Sequence, residues 1–139
     1  MTVLDAIRRA LGRDTSTAAA AAHTAPSPTP EPQEIRVPEL TGADLTAARQ
    51  NGGGPLILDC REDYEWQQGR IPGSLHIPMR QIPGRVAEIG QGTDIVVVCA
   101  HGNRSYSVAG WLIANGFTAA SLRGGLAEWQ SRGGEVKRG

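Results

Sequence analysis

The chain has 139 residues, 40% of them hydrophobic and 20% charged, enough for one compact domain and too little for two of ordinary size. Its 14 basic and 14 acidic residues cancel to a formal net charge of zero, which gives no sign of the broad electropositive face that would neutralise many phosphates, and no nucleic-acid partner is expected. Two cysteines, Cys60 and Cys99, are too few for a disulfide framework or a four-ligand zinc site, so a reducing compartment and no metal are expected.

In chain order, Val3, Leu4, Ile7 and Leu11 fall near one helical face with Arg8, Arg9 and Arg13 elsewhere, the pattern of a short amphipathic helix. Asp5, Arg8 and Arg9 interrupt any apolar stretch, so no secretory signal is read. No segment approaches the ~18 apolar residues of a membrane span, and a cytoplasmic location is the expectation. Residues 15–38 are dominated by Ala, Thr, Ser and Pro, with prolines at 26, 28, 30, 32 and 38. Such a stretch cannot bury a core and favours extended, solvated backbone. Residues 1–34 are therefore read as an N-terminal extension and residues 35–139 as the domain.

Within the domain, strand-like runs at 35–37, 56–60, 74–77, 95–99 and 119–122 alternate with helical patterns, the signature of a parallel sheet covered by helices. Thr41 and Asp44 form a capping-box pattern that opens a helix over 41–50. Shorter helices are expected at 62–68, 84–89 and 126–131, and a longer one over 103–115, stopped by Gly116. The run at 95–99 is nearly all apolar, as in a central strand buried on both faces. Trp66, Trp111 and Trp129 sit in helical segments and are read as core or helix-packing residues rather than a platform for bases.

The chemistry concentrates at VVVCAHGNRSYSVAGWL, residues 96–112, where a buried strand ends in Cys99, a polar loop follows and a helix begins. Backbone N–H groups from Ala100, His101, Gly102, Asn103, Arg104 and Ser105 can curl round the sulfur while the positive helix end points at it. Both effects favour thiolate over thiol. Gly102 permits the positive φ or close approach that such a cradle needs, and Arg104 adds a fixed positive charge. His101 reads equally as a substrate contact or as an exposed loop residue. Cys60 ends the strand expected beside this one and reads as a packing residue, with a resolving role as the alternative.

Four motifs together, LDCRED at 58–63, GRIPGSLHIP at 69–78, VVVCAHGNRS at 96–105 and LRGGLAEW at 122–129, resemble the rhodanese family over about residues 35–136. The resemblance implies an α/β three-layer fold with a five-stranded parallel sheet. It also implies a sulfurtransferase in which Cys99 is the nucleophile and carries sulfur as a persulfide. The donor would be thiosulfate or a persulfide, the acceptor cyanide, a thiol or a sulfur-carrier protein, and no cofactor is implied. The family's cradling loop carries onto Ala100, His101, Gly102, Asn103 and Arg104. Asp59 and Arg61 match its strand-end acidic and basic pair. Arg61 is a secondary candidate for holding an anionic donor, against a structural ion pair with Asp59, Glu62 or Glu65. Arg70 departs from the family, where His often precedes the Ile-Pro-Gly turn.

Phosphatases and arsenate reductases of related fold place five residues between the cysteine and the arginine. Here four residues separate Cys99 from Arg104, a smaller cradle suited to a terminal sulfur, which disfavours phosphatase or arsenate reductase activity. The other alternative is a rhodanese-fold binding module, either non-catalytic or sensing redox state or persulfides, since a low-pKa thiol is readily oxidised.

Overall fold

The computed structural model describes residues 36–50 and 52–139. The readings made for residues 1–35, including the amphipathic segment, lie outside the described residues. The chain forms β1 (Glu39–Leu40), α1 (Gly42–Gln50), β2 (Leu56–Asp59), α2 (Asp63–Gln68), β3 (Leu75–His76), β4 (Asp94–Val98), α4 (Asn103–Ala114), β5 (Thr118–Leu122) and α5 (Gly125–Ser131). Between β3 and β4 lies a run of short turns: a 3-10 turn Met79–Gln81, the one-turn helix α3 (Ile82–Arg85) and a 3-10 turn Val86–Glu88.

All strand pairs are parallel, in the order β1-β5-β4-β2-β3. Alternation along the strands sorts the core to the two faces of the sheet. Leu58, Ile95, Val97 and Ala119 pack with Val108, Ala109 and Leu112 of α4, whereas Ile57, Val96, Val98 and Ala120 pack with Leu45 of α1 and Leu126 and Trp129 of α5. Ile95, Val96 and Val97 are all fully buried. Each such side chain contributes about 1.5–3 kcal/mol relative to an exposed one, so β4 anchors the sheet and with it the chain end that follows.

Several boundaries differ from the sequence expectation: the strands expected over 56–60 and 74–77 are the shorter Leu56–Asp59 and Leu75–His76, and three further differences have a local physical reason. The first strand is Glu39–Leu40 rather than 35–37, because pairing with β5 begins where Glu39 meets Ser121. Pro38, lacking an N–H, precedes the paired residues and contributes its carbonyl to Ser121. The helix expected over 84–89 starts earlier and breaks into 3-10 and α turns from Met79 to Glu88, with Pro83 at the start of α3. The strand expected over 95–99 is shifted by one residue, spanning Asp94–Val98, which leaves Cys99 just beyond it. The expected capping box forms: Thr41 N–H donates to Asp44 Oδ2 at 3.0 Å and Asp44 N–H to Thr41 Oγ1 at 3.1 Å. Trp129 is buried and donates Nε1–H to the Glu135 carbonyl. Trp66 stacks on His76, and the Arg70 guanidinium lies over the Trp66 ring at 4.8 Å from its centroid. Trp111 corrects the core reading: it is 37% exposed, because Val108, Ala109 and Leu112 take the sheet-facing stripe of α4.

Candidate active site

β2 and β4 are neighbours whose outgoing connections diverge, to β3 on one side and to β5 on the other. A crevice therefore opens beyond their carboxyl ends, where ligands of open parallel sheets bind. Cys60 follows β2 and Cys99 follows β4, and both are free thiols.

The loop after Cys99 turns back over the sulfur. Gly102 N–H donates to Cys99 Sγ at 3.0 Å, and Ser105 Oγ lies 3.4 Å from it. Burial raises the Cys99 pKa, but the Ser105 hydroxyl and the amides of Ser105, Gly102 and His101 outweigh it and hold the thiol below its ordinary value. Of the six loop residues expected to line the cradle, His101, Gly102 and Ser105 supply these bonds, while Ala100, Asn103 and Arg104 complete the turn around them. Gly102 has φ of 100° and would bring a Cβ within 3.2 Å of Gly124 N, which is why a glycine stands there.

Cys60 shows how far environment separates two thiols at neighbouring strand ends. Burial, then the Cys99 and Asp59 charges, push it up to about 12, which keeps it protonated at neutral pH.

Arg104 does not point a free charge at the sulfur. Its guanidinium forms a two-pronged pair with Glu65 of α2, at 2.7 and 2.9 Å, and the Arg104 hydrogen bond is the first cause holding Glu65 down at about 2. Arg61 is also tied. It is 3% exposed, reaches Asp59 through Nε at 2.9 Å and Nη2 at 2.7 Å, and donates to the carbonyls of Gly69 and Glu65. Asp59, 1% exposed, is thereby neutralised beside the site. Arg70, the departure noted in the sequence, donates to the carbonyls of Trp66 and Gly139.

A cavity of about 220 Å³ opens over the loop, with Ala100, His101, Leu126 and Ala127 among its walls and Glu65 and Arg61 at one side. His101 is exposed there. Three contributors to the site carried no assigned role in the sequence reading. Gly124 and Gly125 start α5 so that Leu126 N–H donates to the Cys99 carbonyl at 2.8 Å and Ala127 N–H to the Ala100 carbonyl at 3.0 Å, clamping the base of the loop. Ser121 touches Ser105. The signals were a paired glycine ahead of a short helix and a lone hydroxyl inside the otherwise apolar run AASL.

A family model described as Rhodanese-like domain matches residues 42–132. A sulfurtransferase of Allochromatium vinosum is 35% identical over 98 residues, covering 70% of this chain and 92% of that one. The thiosulfate sulfurtransferase GlpE of Pseudomonas aeruginosa is 37% identical over 84 residues, covering 60% of this chain and 74% of the relative. Among solved structures, a rhodanese-like domain protein from Staphylococcus aureus aligns with a TM-score of 0.68 at 31% identity, over 74% of this chain and 99% of that one.

Proposed function

The chain belongs to the rhodanese-like family, and on that premise we propose that it is a sulfurtransferase that carries sulfur as a persulfide on Cys99. The observation that carries the reading is the convergence of Gly102 N–H and the Ser105 hydroxyl on one buried sulfur, at the base of a loop whose Ala100 and His101 line a cavity. This is an anion cradle sized for a terminal sulfur.

Transfer is ping-pong. The Cys99 thiolate attacks the outer sulfur of thiosulfate or of a persulfide, forming the Cys99 S–S bond as the donor's S–S bond breaks and sulfite or a thiolate departs. An acceptor thiolate then attacks the outer sulfur, takes it, and regenerates the Cys99 thiolate. The amides at the loop and the first turn of α4 stabilise the anionic sulfur at both stages. Arg104 and Arg61 contribute as frame: each is spent on a carboxylate, so they hold α2 and the loop in register rather than supplying an unpaired charge to the donor. The name of the Pseudomonas aeruginosa relative supports thiosulfate as the first donor to try. Two free thiols suit a reducing, cytoplasmic setting.

The test is the intact mass of reduced protein before and after thiosulfate, repeated with a small-molecule persulfide, with Cys99→Ser alongside. Gain of one sulfur atom by the wild type and none by Cys99→Ser is the expected outcome. No gain with either donor would sink the assignment.

A further inference from the structure

Ser121 lies in β5, on the sheet face that packs against α4, and is fully buried, as is Ser105 in the first turn of α4. Their hydroxyl oxygens are 2.7 Å apart, and Ser105 Oγ is 3.4 Å from Cys99 Sγ. The three groups form a buried row from β5 to the sulfur. We propose that Ser121 is a positioning residue for the sulfur chemistry: by donating to Ser105 it aims the single Ser105 hydroxyl proton at Cys99 Sγ.

The reasoning follows from proton counting. A serine hydroxyl has one proton, and two hydroxyls in contact place one proton between them. With Cys99 as a thiol, S–H donates to Ser105 and Ser105 donates on to Ser121. With Cys99 as a thiolate the row reverses, so that Ser121 donates to Ser105 and Ser105 donates to Sγ. The reversed row ends on an anion, and each donor polarises the next, which makes it the stronger of the two. Position is fixed by the sheet. Ser121 pairs with Val97 on one side and Glu39 on the other, and its own N–H is bound to the Pro38 carbonyl at 2.9 Å. A hydroxyl on so rigid an element loses little in staying aimed. The loop amides act on the sulfur from the solvent side, whereas this row reaches it from within the core.

The inference deepens the sulfur-transfer reading and rests on it for its purpose, but its readout needs no sulfur donor. The experiment measures the rate of Cys99 alkylation by iodoacetamide against pH, resolved by peptide mass, in the full chain. The other ionisable groups near the sulfur are Asp59 at the end of β2, Cys60 and Arg61 after it, Glu65 of α2, Arg104 of α4 and His101 of the loop, and none is altered by the substitutions. In Ser121→Ala the midpoint is expected to rise by about half to one pH unit, with the rate at high pH retained. Thr and Val at position 121 have the same shape and differ in the hydroxyl. Ser121→Thr should therefore keep a low midpoint and Ser121→Val should not, whatever packing does to either. In a Ser105→Ala background, Ser121→Ala should add no further shift, because Ser121 acts only through Ser105. An unchanged midpoint in folded Ser121→Ala, equal midpoints for Thr and Val, or a full extra shift without Ser105 would each overturn the proposal. Absence of sulfur loading in the wild type, with these midpoints as expected, would instead count against the transfer reading.

Discussion

At the scale of the residue, the molecule shows that a thiol's chemistry is set by its neighbours rather than by its place at a strand end. Cys60 and Cys99 follow adjacent parallel strands and are 1% and 2% exposed. One is pushed up to about 12 by burial. The other is buried as well, yet held low by the donors that the loop turns onto it. That turn depends on Gly125, whose φ is 60° and where a Cβ would sit 2.5 Å from the Cys99 carbonyl oxygen. Gly125→Ala is expected to cost about 1–3 kcal/mol through backbone strain alone and to displace the Cys99 carbonyl from its bond to Leu126. A thermal melt should show the loss of stability, and mass-monitored sulfur loading should slow. A melt matching the wild type would mean that the clamp tolerates a side chain.

At the scale of the element, α2 is a short helix held to the rest of the domain by charge. Arg61 binds its backbone at Glu65 and the following Gly69, and Arg104 of α4 binds the Glu65 carboxylate. Glu65 is lowered from 4.5 to about 2, first through the Arg104 hydrogen bond. A carboxylate with a depressed folded pKa adds stability that is present above its unfolded value and is lost as pH falls through its folded value. The relevant window is therefore from about 4.5 down to about 2. Because Arg104 is 36% exposed, solvent screening trims the contribution to about 1–2 kcal/mol. Glu65→Gln should be less stable than the wild type near neutrality by that amount, and the two melting curves should converge as pH approaches 2. A constant gap across melts over that range would place the effect in packing instead of ionisation.

At the scale of the whole molecule, the site is built on the same contacts that hold the fold. Leu112 is fully buried in the cluster that joins α4 to β4 and β5, and α4 carries Ser105 and Arg104. Leu112→Ala is expected to cost about 2–5 kcal/mol by leaving a cavity. It should lower the melting temperature and impair sulfur loading together, because the helix that frames the cradle loses its seat. Cys99→Ser should abolish loading with the melting temperature nearly unchanged. Full loading by Leu112→Ala near its own melting transition would show that the loop holds its shape without the helix packing assumed here.

The sequence alone determined the alternation of strands and helices, the central place of the run at 95–99, the Thr41–Asp44 cap and the strand, loop and helix around Cys99. These are local signals, written in periods of two and 3.6 residues and in the spacing of caps and glycines. The ends of β1 and the broken helix at 79–88 were less legible, since pairing and proline geometry decide them. Tertiary structure alone decided that Arg104 answers to Glu65, 39 positions away, that the α5 amides hold the Cys99 carbonyl, and that Ser121 meets Ser105 across 16 positions. Charge and hydroxyl partners like these are chosen by where the sheet order brings strand ends and helix starts together, and no periodicity within one segment records that choice.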